Sequence, residues 1–167
     1  MKIFISGLPR SGKTTLVKKI YEDFSTKIKI SGFYTEEISI EGKRIGFKIY
    51  SIDLGKEFEF AKRRKEKDFE VEYAGYYLNL KILDEIIDKV DLNCELIIID
   101  EIGKMEMMSK KFENFINEIL NKNLNILATV HRSLAEKYKK FGKFYWLERE
   151  NWEKVYKEIK FVIENYL

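Results

Sequence analysis

Residues Gly7-Leu8-Pro9-Arg10-Ser11-Gly12-Lys13-Thr14 fit the pattern G-x-x-x-x-G-K-[ST] in full, and no other feature of the chain narrows its possible folds as much. Ile3, Phe4 and Ile5 precede it as a short apolar run suited to a buried strand. Leu16, Val17, Ile20, Tyr21 and Phe24 follow it at helical spacing. Strand, glycine loop and helix thus arrive in the order that a phosphate-binding loop requires. Gly7 and Gly12 permit backbone paths that a Cβ would obstruct. The loop N–H groups from Gly7 to Thr14, with Thr15 next along the helix, can then face phosphate oxygens at the positive end of that helix. Lys13 supplies a charge for the β- and γ-phosphates, and the Thr14 hydroxyl can ligate Mg²⁺.

Composition narrows the class further. A chain of 167 residues, 45% hydrophobic and 35% charged, suits one globular domain over residues 1–167 rather than a disordered segment. No apolar run reaches membrane-span length and no cleavable leader is apparent, so a cytoplasmic location without membrane association is expected. The single cysteine, Cys94, excludes an internal disulfide and a cysteine-clustered metal site. With 31 basic against 28 acidic residues, the balance is too even to indicate nucleic-acid binding. The oligomeric state stays open, a monomer among the options.

Along the chain, Lys27 to Ile30 reads as a short strand. Phe33 to Ile52 reads as an antiparallel excursion turning at Glu41-Gly42. Glu36, Glu37 and Arg44 on it either face a ligand or form cross-strand charge pairs. The basic cluster Lys62 to Lys67 is broken by Glu66 and reads as a solvated face, with a cationic segment closing over phosphates as the other option. Val71 to Tyr77 is a candidate strand, and Leu80 to Val90 a helix. Helices are also expected around Phe112 to Leu120 and Trp152 to Tyr166, with strands at Leu124 to Val130 and Lys143 to Leu147. Trp146 is a candidate for stacking on a base.

Leu96-Ile97-Ile98-Ile99-Asp100-Glu101 is the second informative stretch. Four aliphatic residues ending in acid describe a central parallel strand that delivers carboxylates to its C-terminal edge. Asp100 there would hold Mg²⁺ through its water shell, and Glu101 would orient and deprotonate a water. Thr129, His131 and Arg132 end the next strand at the same edge. Thr129 or His131 could sense a γ-phosphate and Arg132 could offset transition-state charge.

Taken together, GLPRSGKTTL at Gly7 to Leu16, GFYTEEI at Gly32 to Ile38, GKRIGF at Gly42 to Phe47 and IIDEIGKMEM at Ile98 to Met107 resemble the thermophilic-enzyme type nucleoside-triphosphatases. Their vertebrate relative is the cancer-related nucleoside-triphosphatase. The resemblance implies an α/β P-loop NTPase fold. In it a RecA-like three-layer sandwich has a mostly parallel central sheet, and an antiparallel hairpin extends that sheet. It implies Mg²⁺-dependent hydrolysis of nucleoside triphosphates to the diphosphate and phosphate, with broad base tolerance. By position it assigns nucleotide contact to Gly7 through Thr14 and to Asp100, Glu101, Ile102, Gly103, Lys104, Met105 and Glu106. Lys104 and Glu106 enter on that ground alone. The stretch from Lys56 to Glu72 carries none of the family's motifs.

The leading expectation is an NTPase using water, with Lys13 and Glu101 as catalytic residues and Thr14 and Asp100 at the metal. A small-molecule or nucleotide kinase is the competitor, for which the sequence names no acceptor pocket. A nucleotide-gated module for RNA or protein is a third reading, supported only by the basic cluster.

Overall fold

The computed structural model describes all residues, Met1–Leu167. The chain forms β1 (Lys2–Gly7), α1 (Lys13–Phe24), β2 (Ile30–Ile40), β3 (Lys43–Ser51), β4 (Lys56–Lys62), β5 (Val71–Tyr73) and β6 (Tyr76–Leu78). It continues through α2 (Leu80–Asp88), β7 (Leu96–Ile102), α3 (Lys110–Asn121), β8 (Ile126–Val130), α4 (Ala135–Tyr138), β9 (Lys143–Leu147) and α5 (Trp152–Tyr166). All nine strands join one sheet in the order β5-β6-β4-β3-β2-β7-β8-β1-β9.

Two apolar layers explain why the parallel strands read as unbroken hydrophobic runs. Ile3 and Ile5 of β1 and Leu96 and Ile98 of β7 pack on α1 and α5, with Leu16, Ile20, Ile159 and Ile163. Phe4, Ile97 and Ile99 point the other way, onto α2, α3 and α4 through Leu83, Phe112 and Tyr138. Successive side chains of a strand face opposite sides, so a strand covered on both faces is apolar at every position. Asn79 Oδ1 caps α2 by accepting from Ile82 N at 3.1 Å, and Ser109 Oγ caps α3 by accepting from Phe112 N at 3.0 Å.

The parallel majority expected of the sheet is not found. Four pairings are parallel and four are antiparallel. The antiparallel half is the four strands β3, β4, β6 and β5 rather than one hairpin, with β6 of a second hairpin, β5–β6, paired to β4. Its turns need no crossover helix, so it extends the sheet with little sequence between strands. Glu41 and Gly42 turn with φ of 50° and 75°, as the hairpin reading requires. Ala74 and Gly75 repeat that geometry with φ of 50° and 81°, splitting the stretch expected as one strand into β5 and β6.

β2 links the halves. Ile30 to Phe33 pair in parallel with β7, and Phe33 to Ile40 pair antiparallel with β3. The short strand expected at Lys27 to Ile30 is therefore only the threshold of a longer one. No helix is long and apolar enough to cross a membrane.

Candidate active site

β1 delivers Gly7 to the C-terminal edge of the sheet. There an ideal Cβ would lie 2.5 Å from Leu147 O and 2.8 Å from Ser11 Oγ, so no larger residue fits the loop's entry. Gly12 precedes α1 with φ 93°, and its carbonyl accepts from Trp152 Nε1 at 3.0 Å. The loop is thus fastened to α5. Lys13 Nζ curls over the loop and donates to Gly7 O and Leu8 O, each at 3.3 Å.

Two strands away, β7 brings up the acids. Asp100 is 1% exposed and collects hydrogen bonds from three elements. Thr14 Oγ1 donates to its Oδ2 at 2.8 Å, Thr35 N to the same oxygen at 3.2 Å, and Thr129 Oγ1 to Oδ1. Burial raises its carboxyl above the ordinary aspartate range, and these donors oppose the rise. The Thr14–Asp100 pair is a hard-oxygen donor set of the kind Mg²⁺ takes together with phosphate oxygens and water. Asp100 already accepts several donors, so the arrangement suits contact through a water shell.

Glu101 is half-buried beside it. Burial first, and then the Asp100 carboxylate, push its carboxyl up to about 7, with Lys13 pulling the other way. Glu106 follows on a short turn, Glu106–Met108, and is raised well above the ordinary range by burial and by Glu101. The two carboxyl groups flank one point. An ideal Cβ on Gly103 would lie 2.7 Å from Glu106 Oε2 and 2.9 Å from Glu101 Oε1.

A single cleft of about 690 Å³ lies between most of the loop and Glu101 and Glu106, while Asp100 sits buried behind it and, like Gly103, does not line it. Of the residues expected at the site, Gly7, Pro9, Arg10, Gly12, Lys13, Thr14 and Thr15 line it from the loop side. Glu101, Lys104, Met105, Glu106, His131 and Arg132 line it from the ends of β7 and β8. Leu8 and Ser11 belong to the loop without lining the cleft. Ile102 is 1% exposed, its side chain in the core, and its carbonyl accepts from His131 N at 3.0 Å. Thr129 is wholly buried with its hydroxyl committed to Asp100, which makes it an anchor for that acid. His131 Nδ1 accepts from Ser133 N at 3.2 Å, and its imidazole is shifted down by burial and by Arg132, Lys104 and Lys13.

Other expectations resolve on geometry. Glu37 pairs with Arg44, and Glu36 with Lys18 and with Lys48, its cross-strand partner. Glu36, Glu37 and Arg44 are thus in charge pairs and also line the cleft. Trp146 stands on the edge strand β9, outside both hollows of the site. Trp152 instead borders the second one, of about 400 Å³, with Arg10, Gly12, Thr15 and Arg149. Thr35 escaped the sequence reading, although it lies within the GFYTEE segment that flagged its surroundings.

The chain matches the sequence profile of a family described as NTPase over residues 2–160. It is 40% identical over 161 residues to nucleoside-triphosphatase THEP1 of Methanocaldococcus jannaschii, covering 95% of each chain. It is 37% identical to nucleoside-triphosphatase THEP1 of Pyrobaculum aerophilum, over 95% of this chain and 91% of that one. Among solved structures, THEP1 from the hyperthermophile Aquifex aeolicus superposes with a TM-score of 0.79 at 32% identity, covering 98% of this chain and 99% of that one. A human cancer-related nucleoside triphosphatase superposes with a TM-score of 0.75 at 26% identity, covering 98% and 97%.

Proposed function

Since the chain belongs to this NTPase family, we propose that it hydrolyses nucleoside triphosphates to the diphosphate and phosphate by direct attack of water. The observation that carries the proposal is Glu101. It is a half-buried carboxyl in the same cleft as the phosphate loop, brought close to neutrality by burial and by Asp100. A general base works best when its pKa lies near the working pH. Lys13 reaches from the loop to the β- and γ-phosphates, and Glu101 orients the attacking water and takes its proton. Thr14, and Asp100 through the ion's water shell, would hold Mg²⁺, which would supply charge neutralisation to the phosphates. Lys104, His131 and Arg132 line the same cleft, where their charge would offset the negative charge developing on the equatorial oxygens.

Broad base tolerance is supported by Trp152. Its one polar group, Nε1, is engaged by Gly12 O, so its contribution to the second hollow is ring surface that does not discriminate between bases. The RecA-like reading is supported by the parallel half of the sheet, in which β8 stands between the loop strand β1 and the acidic strand β7.

Phosphate release from ATP, GTP, CTP and UTP, measured with Mg²⁺ and again with excess chelator, tests the proposal. All four are expected to be hydrolysed at comparable rates, and chelation is expected to abolish turnover. Release that persists in chelator, or that appears only when an acceptor is added, would overturn it.

A further inference from the structure

The second hollow carries more charge than an uncharged base can use. Arg10, Gly12 and Thr15 line both it and the main cleft, so the two adjoin across the phosphate loop. Arg149 stands with Arg10 in the second hollow, and neither guanidinium is in an ion pair. Arg149 Nε donates to Arg10 O at 3.5 Å, the one polar contact of either side chain. Glu153, the one acid of that hollow, faces Lys157 at 3.7 Å.

The main cleft has the same bias. Its acids Glu36 and Glu37 are matched by Lys18, Lys48 and Arg44. Arg10, Lys13, Arg63, Lys104 and Arg132 then stand without an ionic partner, against Glu101 and Glu106 alone. Unpaired cations that run through two adjoining hollows suit a linear polyanion, and guanidinium forks match phosphate oxygens in particular. A nucleoside triphosphate ends its charge at the α-phosphate. Beyond that point Trp152 offers ring surface to a base, while Arg10 and Arg149 offer charge that a base does not answer.

We propose that the same site hydrolyses linear inorganic polyphosphate, from triphosphate upward, one terminal phosphate at a time. The terminal unit and the two behind it take the places of the γ-, β- and α-phosphates on the loop. Units further along the chain lie in the second hollow against Arg10 and Arg149, where a nucleoside would otherwise sit. A water oxygen forms a bond to the terminal phosphorus while the bond from that phosphorus to the bridging oxygen breaks. The electron pair stays on the shortened chain. One water proton passes to Glu101, and the other remains on the released phosphate. The inference rests on the reading that this cleft hydrolyses nucleoside triphosphates with water.

Phosphate release with Mg²⁺ from ATP, from inorganic triphosphate and from a long-chain polyphosphate tests it. All three are expected to be cleaved, with kcat values within about tenfold of one another because the reacting groups are shared. Glu101→Gln is expected to reduce all three together, by at least about 100-fold. Arg149→Ala is expected to raise KM for the long chain about tenfold more than KM for inorganic triphosphate, the worth of one charge-assisted contact that only the longer chain reaches. Phosphate released from ATP alone overturns the inference and leaves the hydrolase reading standing. Polyphosphate cleavage that survives in Glu101→Gln while ATP cleavage is lost also overturns it, since the cleavage then occurs elsewhere. So do equal KM shifts for the two inorganic substrates in Arg149→Ala. Release from none of the three would bring down the hydrolase reading itself.

Discussion

Asp100 shows how a single side chain is prepared. Its oxygens are addressed by hydroxyls from α1 and β8 and by a backbone amide from β2, in a site almost closed to water. Removing one of those donors at constant volume isolates its role. If Asp100 serves the proposed metal site, Thr129→Val is expected to lower kcat about 10- to 100-fold, the usual cost of losing a partner behind such a ligand, with little change in KM. Steady-state kinetics with Mg-ATP checks it, and an unchanged kcat would show that Asp100 needs no help from β8. Glu101 carries a stability cost that has a definite sign. Its folded-state carboxyl is raised from 4.5 to about 7, so the folded chain holds a proton that the unfolded chain releases. Its contribution to stability therefore falls as pH rises through that window, and Asp100 and Glu106, also raised, act in the same direction. In the nucleotide-free protein, Glu101→Gln is expected to stabilise by about 1–3 kcal/mol at pH 8 and by little at pH 4. Urea melts at the two pH values read this directly. At this scale the acids were legible in the sequence, because four aliphatic residues ending in Asp-Glu describe both a strand and its reactive end. Thr14 was legible as a companion of Asp100, but Thr35 and the anchoring role of Thr129 were not. A hydroxyl at position 35 or 129 acquires its role from the strand packed beside it.

At the scale of elements, β2 and the turn after β7 show two different uses of glycine. Gly32 sits where β2 runs beside β7, with φ 111°, and a Cβ there would lie 2.0 Å from Ile98 O. The obstructing atom is backbone, which cannot step aside. Gly32→Ala is expected to destabilise the fold by about 3 kcal/mol or more, measurable by denaturant melts. Gly103 differs, because the atoms its Cβ would meet are the ends of the Glu101 and Glu106 side chains. Those can rotate away, so Gly103→Ala is expected to leave stability within about 1 kcal/mol and to lower kcat by displacing Glu101, the proposed base. The helices were readable from their apolar spacing, and the parallel strands from runs buried on both faces. The extension was harder. β5 and β6 are three residues each, and the turn between them places Ala74 at positive φ, where no glycine marked its first corner. β4 alternates charged and apolar residues in a stretch dense with lysine and glutamate, a pattern shared with a solvated loop.

Across the whole molecule, one sheet carries both the phosphate loop and the extension, and β2 belongs to both halves. Neither half can lose β2 without exposing the other's core. A single unfolding transition, with coincident fluorescence and circular dichroism curves, is therefore expected; separated transitions would mean two independent units. The same continuity forms the cleft. The loop and the acids were visible as motifs, but the part of the cleft lined by Phe47, Arg63 and Tyr76 was not, since β3, β6 and the bend after β4 meet there only after the extension folds. The account turns on Glu101 as the base rather than a ligand for substrate. Measuring nucleotide affinity and phosphate release together in Glu101→Gln separates the two roles. The predicted result is triphosphate affinity close to wild type with phosphate release reduced at least about 100-fold; undiminished release in that variant would contradict the account.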